Sequence, residues 1–355
     1  FIEQSINQPI PSIEAEQPIL YNFSPSKIDA ASFPFSTWRK YAKLVMDESS
    51  MELLQTGHSQ GELALRVEIA HYLYQSRGIE CIPEQIVIGS GTEHLLPMIL
   101  RLFDDNSKLA LENPGYAAIP IAHLNEQAVP ISIDADGLII EQLEKSDANL
   151  VYLTPAHQFP TGAVLSASRR TQLLNWASEQ NNRYILEDDY DSEFRYIGKP
   201  IAALQSMDRS GKVIYLSTFT KSLMPSLRVA YFVLPKPLIQ IYKERLSYYS
   251  STVPRFEQHI LAHFMRDGHF SKHLNKMRKI YRKKHDKIIQ VFSNHYPQIH
   301  ITGDEAGMHF LISFTTTKSE ATLLQNALNS GIHISSVSNY TFTSIKSVTP
   351  TFLLG

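Results

Sequence analysis

Lys221 stands among four hydroxyls in the run Ser217-Thr218-Phe219-Thr220-Lys221-Ser222, and Arg228 follows seven residues later. A lysine amine in such a place can condense with a carbonyl, and an arginine beside hydroxyls can hold a phosphate. Upstream, Glu187-Asp188-Asp189-Tyr190-Asp191-Ser192-Glu193-Phe194 sets a carboxylate and a phenol two residues apart. On an extended chain Asp188 and Tyr190 therefore point to the same side. Gly89-Ser90-Gly91-Thr92 offers small residues whose main-chain N–H groups can meet an anion where a helix begins. Asn113-Pro114-Gly115-Tyr116 supplies a ring that can lie against a planar ligand. Singly, these are a surface lysine, capping aspartates, a core tyrosine and a plain strand-to-helix turn. Together they describe a site for a carbonyl compound that carries a cation and a phosphate.

Such segments meet when each ends a strand of one open parallel sheet, because ligands bind at the carboxyl ends of those strands. The sequence predicts strands at 86–89, 108–112, 128–133, 149–153, 183–188, 212–217 and 229–234, alternating with helices at 92–103, 116–125, 138–146, 167–180 and 236–249. Pro34 and Trp38 open an earlier helical pattern that runs to about Val45. From Pro254 the pattern changes to long amphipathic helices, Arg255–Arg266 and Ser271–Ser293, then strands at 308–314 and 350–354 around a helix at 319–330. The fold class expected is α/β, with a large domain at 50–250 built on a seven-stranded, mostly parallel sheet. Residues 21–49 and 251–355 are assigned to a smaller α+β domain. Residues 1–20, with three prolines, read as an arm or linker remnant. The opening Phe1 and the apolar ending Phe352-Leu353-Leu354-Gly355 lead us to expect a piece of a longer chain, truncated at the C-terminus as well.

The 355 residues are 43% apolar and 19% charged, enough to bury a sizeable core. A net charge of −2 gives no global attraction to nucleic acid or an anionic membrane. The eight Lys and Arg residues from Lys272 to Lys287 fit the solvated face of a helix that buries Leu274, Met277, Ile280 and Tyr281. The single cysteine, Cys81, excludes an intrachain disulfide and a Cys-x-x-Cys pair, so a reducing, cytoplasmic setting is expected. No apolar run approaches the roughly 18 residues of a membrane span. Fourteen histidines are scattered through the chain, and no metal site is expected.

One cofactor needs all the groups above at once. Pyridoxal 5'-phosphate has an aldehyde for a lysine, a ring nitrogen for a carboxylate and a phosphate for N–H groups, hydroxyls and an arginine. The order Gly-rich turn, aromatic, Asp-x-Tyr, Lys, Arg resembles the fold-type I pyridoxal phosphate enzymes, the aspartate aminotransferase group. Finer details resemble the aminotransferase-like effector domain of MocR (GabR-type) transcription regulators. They are Phe33-Pro34 with Trp38, Gly57 and Gly61 with Leu65-Arg66, the runs 155–162 and Glu187–Tyr196, and Thr218–Arg228.

The resemblance implies that Lys221 is the catalytic lysine and holds the cofactor as a Schiff base. It implies that Asp188 faces the ring nitrogen, Tyr190 bonds the ring's 3-oxygen and Tyr116 stacks on the ring. Ser90, Gly91, Thr92, Thr218, Thr220 and Arg228 would hold the phosphate, with His157 and Gln158 open between packing and ligand contact. Two departures stand out: Phe159 replaces the family's asparagine at the 3-oxygen, and Thr56 replaces a tyrosine that reaches the partner subunit's phosphate. The arginine that grips a substrate carboxylate would lie beyond Gly355. The implied function is a homodimeric effector domain that senses pyridoxal phosphate, or its adduct with an amine or amino acid. Such a domain contacts DNA only through an N-terminal winged-helix domain outside this chain. The alternative is a free-standing pyridoxal phosphate aminotransferase acting on amino and keto acids.

Overall fold

The computed structural model describes residues 18–48, 51–116, 128–197, 202–342 and 349–355. Its strands are β1 (Tyr21–Asn22), β2 (Ile86–Gly89), β3 (Leu109–Asn113), β4 (Ala128–Asp134), β5 (Gly137–Leu138), β6 (Leu150–Leu153), β7 (Tyr184–Asp189), β8 (Val213–Thr218), β9 (Ala230–Val233), β10 (His300–Thr302), β11 (Phe310–Ser313), β12 (Ile332–His333), β13 (Ser335–Ser336) and β14 (Thr351–Leu354). The helices are α1 (Phe35–Glu48), α2 (Leu63–Arg77), α3 (Thr92–Leu100), α4 (Ile140–Lys145), α5 (Ala167–Ser178), α6 (Leu204–Met207), α7 (Lys236–Leu246), α8 (Arg255–Arg266), α9 (His269–His295) and α10 (Glu320–Asn329).

The large sheet runs β2-β9-β8-β7-β6-β3-β4-β5. Strands β4, β3, β6, β7 and β8 are parallel neighbours, and β9 runs antiparallel between β8 and β2. The central strands β3, β6 and most of β7 are buried throughout, which is why their sequences read as short continuous apolar runs. Seven strands lie within one residue of the ranges read from the sequence. The eighth, β5, has two residues: Gly137, at φ +94°, turns the chain so that Leu138 pairs with Ile133. The helix predicted over 138–146 is shortened to α4 for that reason, and the one predicted over 116–125 lies almost wholly outside the described residues.

Helix α2 was not predicted, although Leu65, Ile69 and Leu73 recur every four residues and Gly78 ends the helix at φ +67°. Its buried face joins α1, α8, β2 and β9 in one cluster that contains Tyr41, Ile88, Tyr231, Ile260 and Phe264. On the other side of the sheet Leu95, Ile99, Ile214, Phe232 and Tyr242 pack α3 and α7 against it. Helix α9 buries Phe270, Leu274 and Met277 while Lys272, Lys276, Lys279 and Lys283 stay exposed. A second, antiparallel sheet follows in the order β10-β11-β14-β13. Strand β1 pairs in parallel with β12, and this anchors the segment Ser24-Pro25-Ser26 near the ends of the large-sheet strands. Among the described residues no helix is long and apolar enough to cross a membrane.

Phe264 ties this arrangement together: its fully buried ring lies 5.6 Å from that of Trp38 and 6.5 Å from that of Tyr41. Phe264→Ala leaves a cavity between α1 and α8, and urea unfolding is expected to show a loss of about 3–5 kcal/mol.

Candidate functional site

The ends of β7 and β8, the turns after β2 and β3, and the segment after β1 enclose a cavity of about 410 Å³. Its walls include Gly91, Thr92, Tyr116, Asp188, Tyr190, Thr218, Thr220, Lys221 and Arg228. Ser90 is not brought into this lining; its N–H donates to Thr252 Oγ1 (3.1 Å) and its carbonyl accepts from Arg228.

Strand alternation decides which aspartate faces the cavity. Asp189 points away, accepting from Tyr215 (2.7 Å) and pairing with Arg77 (2.7 Å). Asp188 points in. Its Oδ2 accepts from the Tyr152 hydroxyl at 2.5 Å, whereas Oδ1 is buried and has no hydrogen-bond partner. Burial pushes the Asp188 carboxyl up to about 7, with Asp189 adding to the rise and the Tyr152 bond opposing it. A cationic donor at Oδ1 would relieve this. Lys221, on the turn after β8, donates to the Pro25 carbonyl, and burial lowers its pKa, favouring the neutral amine.

On the same turn the Thr218 and Thr220 hydroxyls lie 2.7 Å apart, and Thr218 Oγ1 also accepts from the Thr220 N–H (3.1 Å). Arg228 is the one non-glycine residue with positive φ (+51°) among the described residues, a strained backbone that marks a constrained site. Its guanidinium rests against Gly91, where a Cβ would collide with it. Arginine, hydroxyls and the start of α3 together make an anion-binding corner.

Tyr190 donates to the His157 carbonyl (2.9 Å), and its ring forms the wall with Phe159. Phe159, in place of the family's asparagine, packs edge-on against Tyr116 and Tyr340 at 5.5 and 4.8 Å, so that wall is apolar. Gln158 is structural: it donates to the Pro114 and Phe159 carbonyls and accepts from Thr161. His157 Nδ1 bonds Asp191 Oδ2 at 3.0 Å, and no side chain fits at Gly307, where a Cβ would strike this pair.

Sequence reasoning did not single out the segment Ser24–Ser26, Glu93, Asp191, Met308, His309 or Tyr340, all of which line the cavity. Glu93 had a local signal, an acid directly after the Gly-rich turn; His309 and Tyr340 arrive through tertiary packing. His309 donates from Nε2 to the Pro160 carbonyl (3.2 Å), and burial beside His157 holds it neutral. Where no metal site was expected, the ligand atoms of His157, Asp191 and His309 lie within 4.8 Å of one another. All three side chains are already engaged in the hydrogen bonds just described.

Residues 25–351 match the family model for class I and II aminotransferases. The chain belongs to that family. Its curated relatives include the HTH-type transcriptional regulator YdeL of Bacillus subtilis, 42% identical over 89% of this chain and 69% of that protein. The probable rhizopine catabolism regulator MocR of Rhizobium meliloti is 33% identical over 90% of this chain and 66% of its own length. The chain is therefore an aminotransferase-like domain of MocR type, spanning about two thirds of such regulators. Among solved structures, kynurenine aminotransferase from Pyrococcus horikoshii superposes with a TM-score of 0.82 at 25% identity, covering 96% of this chain and 86% of that one. The fold is that of fold-type I enzymes, and the cofactor of this family is pyridoxal phosphate. The bare Asp188 oxygen, the buried lysine and the anion-binding corner fit that molecule's ring nitrogen, aldehyde and phosphate.

The raised pKa of Asp188 has a measurable consequence in the cofactor-free protein. The folded state holds this proton more tightly than the unfolded chain, so the stabilising contribution is complete below about pH 4 and is lost as pH rises through about 7. Asp188→Asn removes this residue's share of the dependence, while Glu112, Glu187 and Glu193, whose carboxyls burial also pushes up to about 7, keep theirs. The variant's melting temperature should exceed that of wild type at pH 8 and by much less at pH 4, as scanning calorimetry can show.

Proposed function

We propose that this domain is the effector-binding, dimerising part of a MocR-type transcription regulator. It holds pyridoxal phosphate on Lys221 and responds to that cofactor or to an amine or amino acid that reacts with it. The decisive support is the pattern of likeness: relatives at 42%, 33% and 30% identity are named as regulators, including the pyridoxine biosynthesis regulator PdxR of Corynebacterium glutamicum. Named aminotransferases follow at 26–27%.

When bound, the cofactor supplies an aldehyde that condenses with amines and a ring that withdraws electrons. The roles assigned to the protein follow from its own groups. Lys221, whose pKa burial lowers, presents an amine that can act as the nucleophile. Asp188, through its free Oδ1, would hold a proton at the ring nitrogen, while Tyr152 fixes the other oxygen. Thr218, Thr220, Arg228 and the Gly91-Thr92 turn would hold the phosphate, and Tyr116 and Phe159 would give the cavity an aromatic wall against the ring. Tyr190 presents its phenol beside His157.

Dimerisation is supported by exposed apolar side chains just before Thr56: Met51 and Leu54 are 82% and 73% exposed. DNA contact in this reading belongs to the HTH part of the regulator. The free-standing aminotransferase remains as the second reading because Lys221 and Asp188 are the groups such an enzyme also uses.

Borohydride treatment of the protein mixed with pyridoxal phosphate should fix the cofactor to the peptide that contains Lys221, and Lys221→Ala should abolish the attachment. Label on another lysine would contradict the assignment. Coupled assays with common amino acids and keto acids should show turnover well below the 1–10³ per second of ordinary enzymes. Turnover within that range would favour the aminotransferase reading.

A further inference from the structure

The anion-binding corner contains an anion of its own. Glu93 is the second residue of α3, and its Oε2 lies 2.9 Å from Arg228 Nη2. The same nitrogen donates to the Ser90 carbonyl at 3.1 Å. The Glu93 carboxylate thus occupies the arginine that is assigned to the phosphate, at the helix end whose dipole favours one negative charge. Gly91 makes the arrangement possible, since a Cβ there would meet both the Arg228 guanidinium and Glu93 Oε2. Both side chains are half exposed, so the pair is weakly held and can be opened by a competing ligand.

We propose that Glu93 is an internal competitor for the phosphate of pyridoxal phosphate, tuning the domain to bind the cofactor exchangeably. The inference rests on the reading of the cavity given above and adds its regulation. An arriving phosphate either displaces Glu93 from Arg228 or binds beside a like charge, and both lower its affinity. A catalyst gains from a cofactor that never leaves. A sensor gains from one whose occupancy follows its concentration, and a carboxylate in the phosphate corner moves the affinity in that direction.

The test compares wild type, Glu93→Gln and the double variant Glu93→Gln/Arg228→Gln against its Arg228→Gln parent. Equilibrium titrations use pyridoxal phosphate and pyridoxal, read by tyrosine and tryptophan fluorescence and by the rise in melting temperature. Glu93→Gln should tighten pyridoxal phosphate roughly tenfold and leave pyridoxal unchanged. In the Arg228→Gln background most of that gain should disappear. Glu93→Ala supplies the same comparison if the glutamine variant is poorly folded. Unchanged or weaker binding of pyridoxal phosphate by variants that melt like wild type overturns the inference, as does an equal gain for pyridoxal. If wild type binds no pyridoxal phosphate at all, the reading of the cavity falls and the inference with it. If wild type binds and removing Glu93 changes nothing, only the inference falls.

Discussion

The site depends on a carboxylate placed where it has too few partners. Asp188 sits at the end of β7, an interior strand, and is 3% exposed. Holding a carboxylate out of water with one oxygen bare costs several kcal/mol unless a cation or a proton compensates. The sheet fixes this geometry from both sides. Strand β6 contributes Tyr152, which satisfies one oxygen, and β8 contributes Tyr215, which binds Asp189 on the opposite face. The alternation of one strand thereby separates an aspartate paired through Oδ2 with Arg77 and Tyr215 from one that lines the cavity with a bare oxygen.

Around that carboxylate the other groups are matched by charge. Burial lowers the pKa of Lys221, which raises the share of its amine that is nucleophilic, and the amine donates to the Pro25 carbonyl. Positive charge is concentrated on Arg228, at the rim, where the guanidinium is half exposed. The cavity thus sets a buried carboxylate, Asp188, apart from a half-exposed guanidinium, Arg228, and its lining also includes the packed rings of Tyr116 and Phe159. Glu93 is the element that runs against this order, and its position on Arg228 is what distinguishes a corner built for permanent retention from one built for exchange.

Much of this was legible in the sequence because the residues concerned are close to strand ends that themselves read clearly. Asp188, Thr218, Lys221 and the Gly-rich turn sit where short buried runs stop, and apolar runs of four to six residues locate such stops well. The segment Ser24–Ser26 could not be found this way. It reaches the cavity because β1, only two residues long, pairs with β12 more than three hundred residues away. His309 and Tyr340 likewise depend on the second sheet and its packing against Phe159. Helix α2 was available in the pattern Leu65, Ile69, Leu73, but Arg66 interrupts its apolar appearance. That arginine is buried because it donates to the Gly61 and Pro83 carbonyls, a tertiary compensation that local patterning does not reveal.

The central claim is that the unpartnered Asp188 oxygen exists to keep a ring nitrogen protonated. The most direct measurement is the nitrogen-15 chemical shift of ring-labelled pyridoxal phosphate bound to the protein, followed from pH 6 to 9. A protonated nitrogen across that range in wild type, becoming unprotonated in Asp188→Asn and unaffected by Glu93→Gln, is the predicted result. A ring nitrogen that is unprotonated in wild type, or one whose protonation is insensitive to Asp188, would contradict the account.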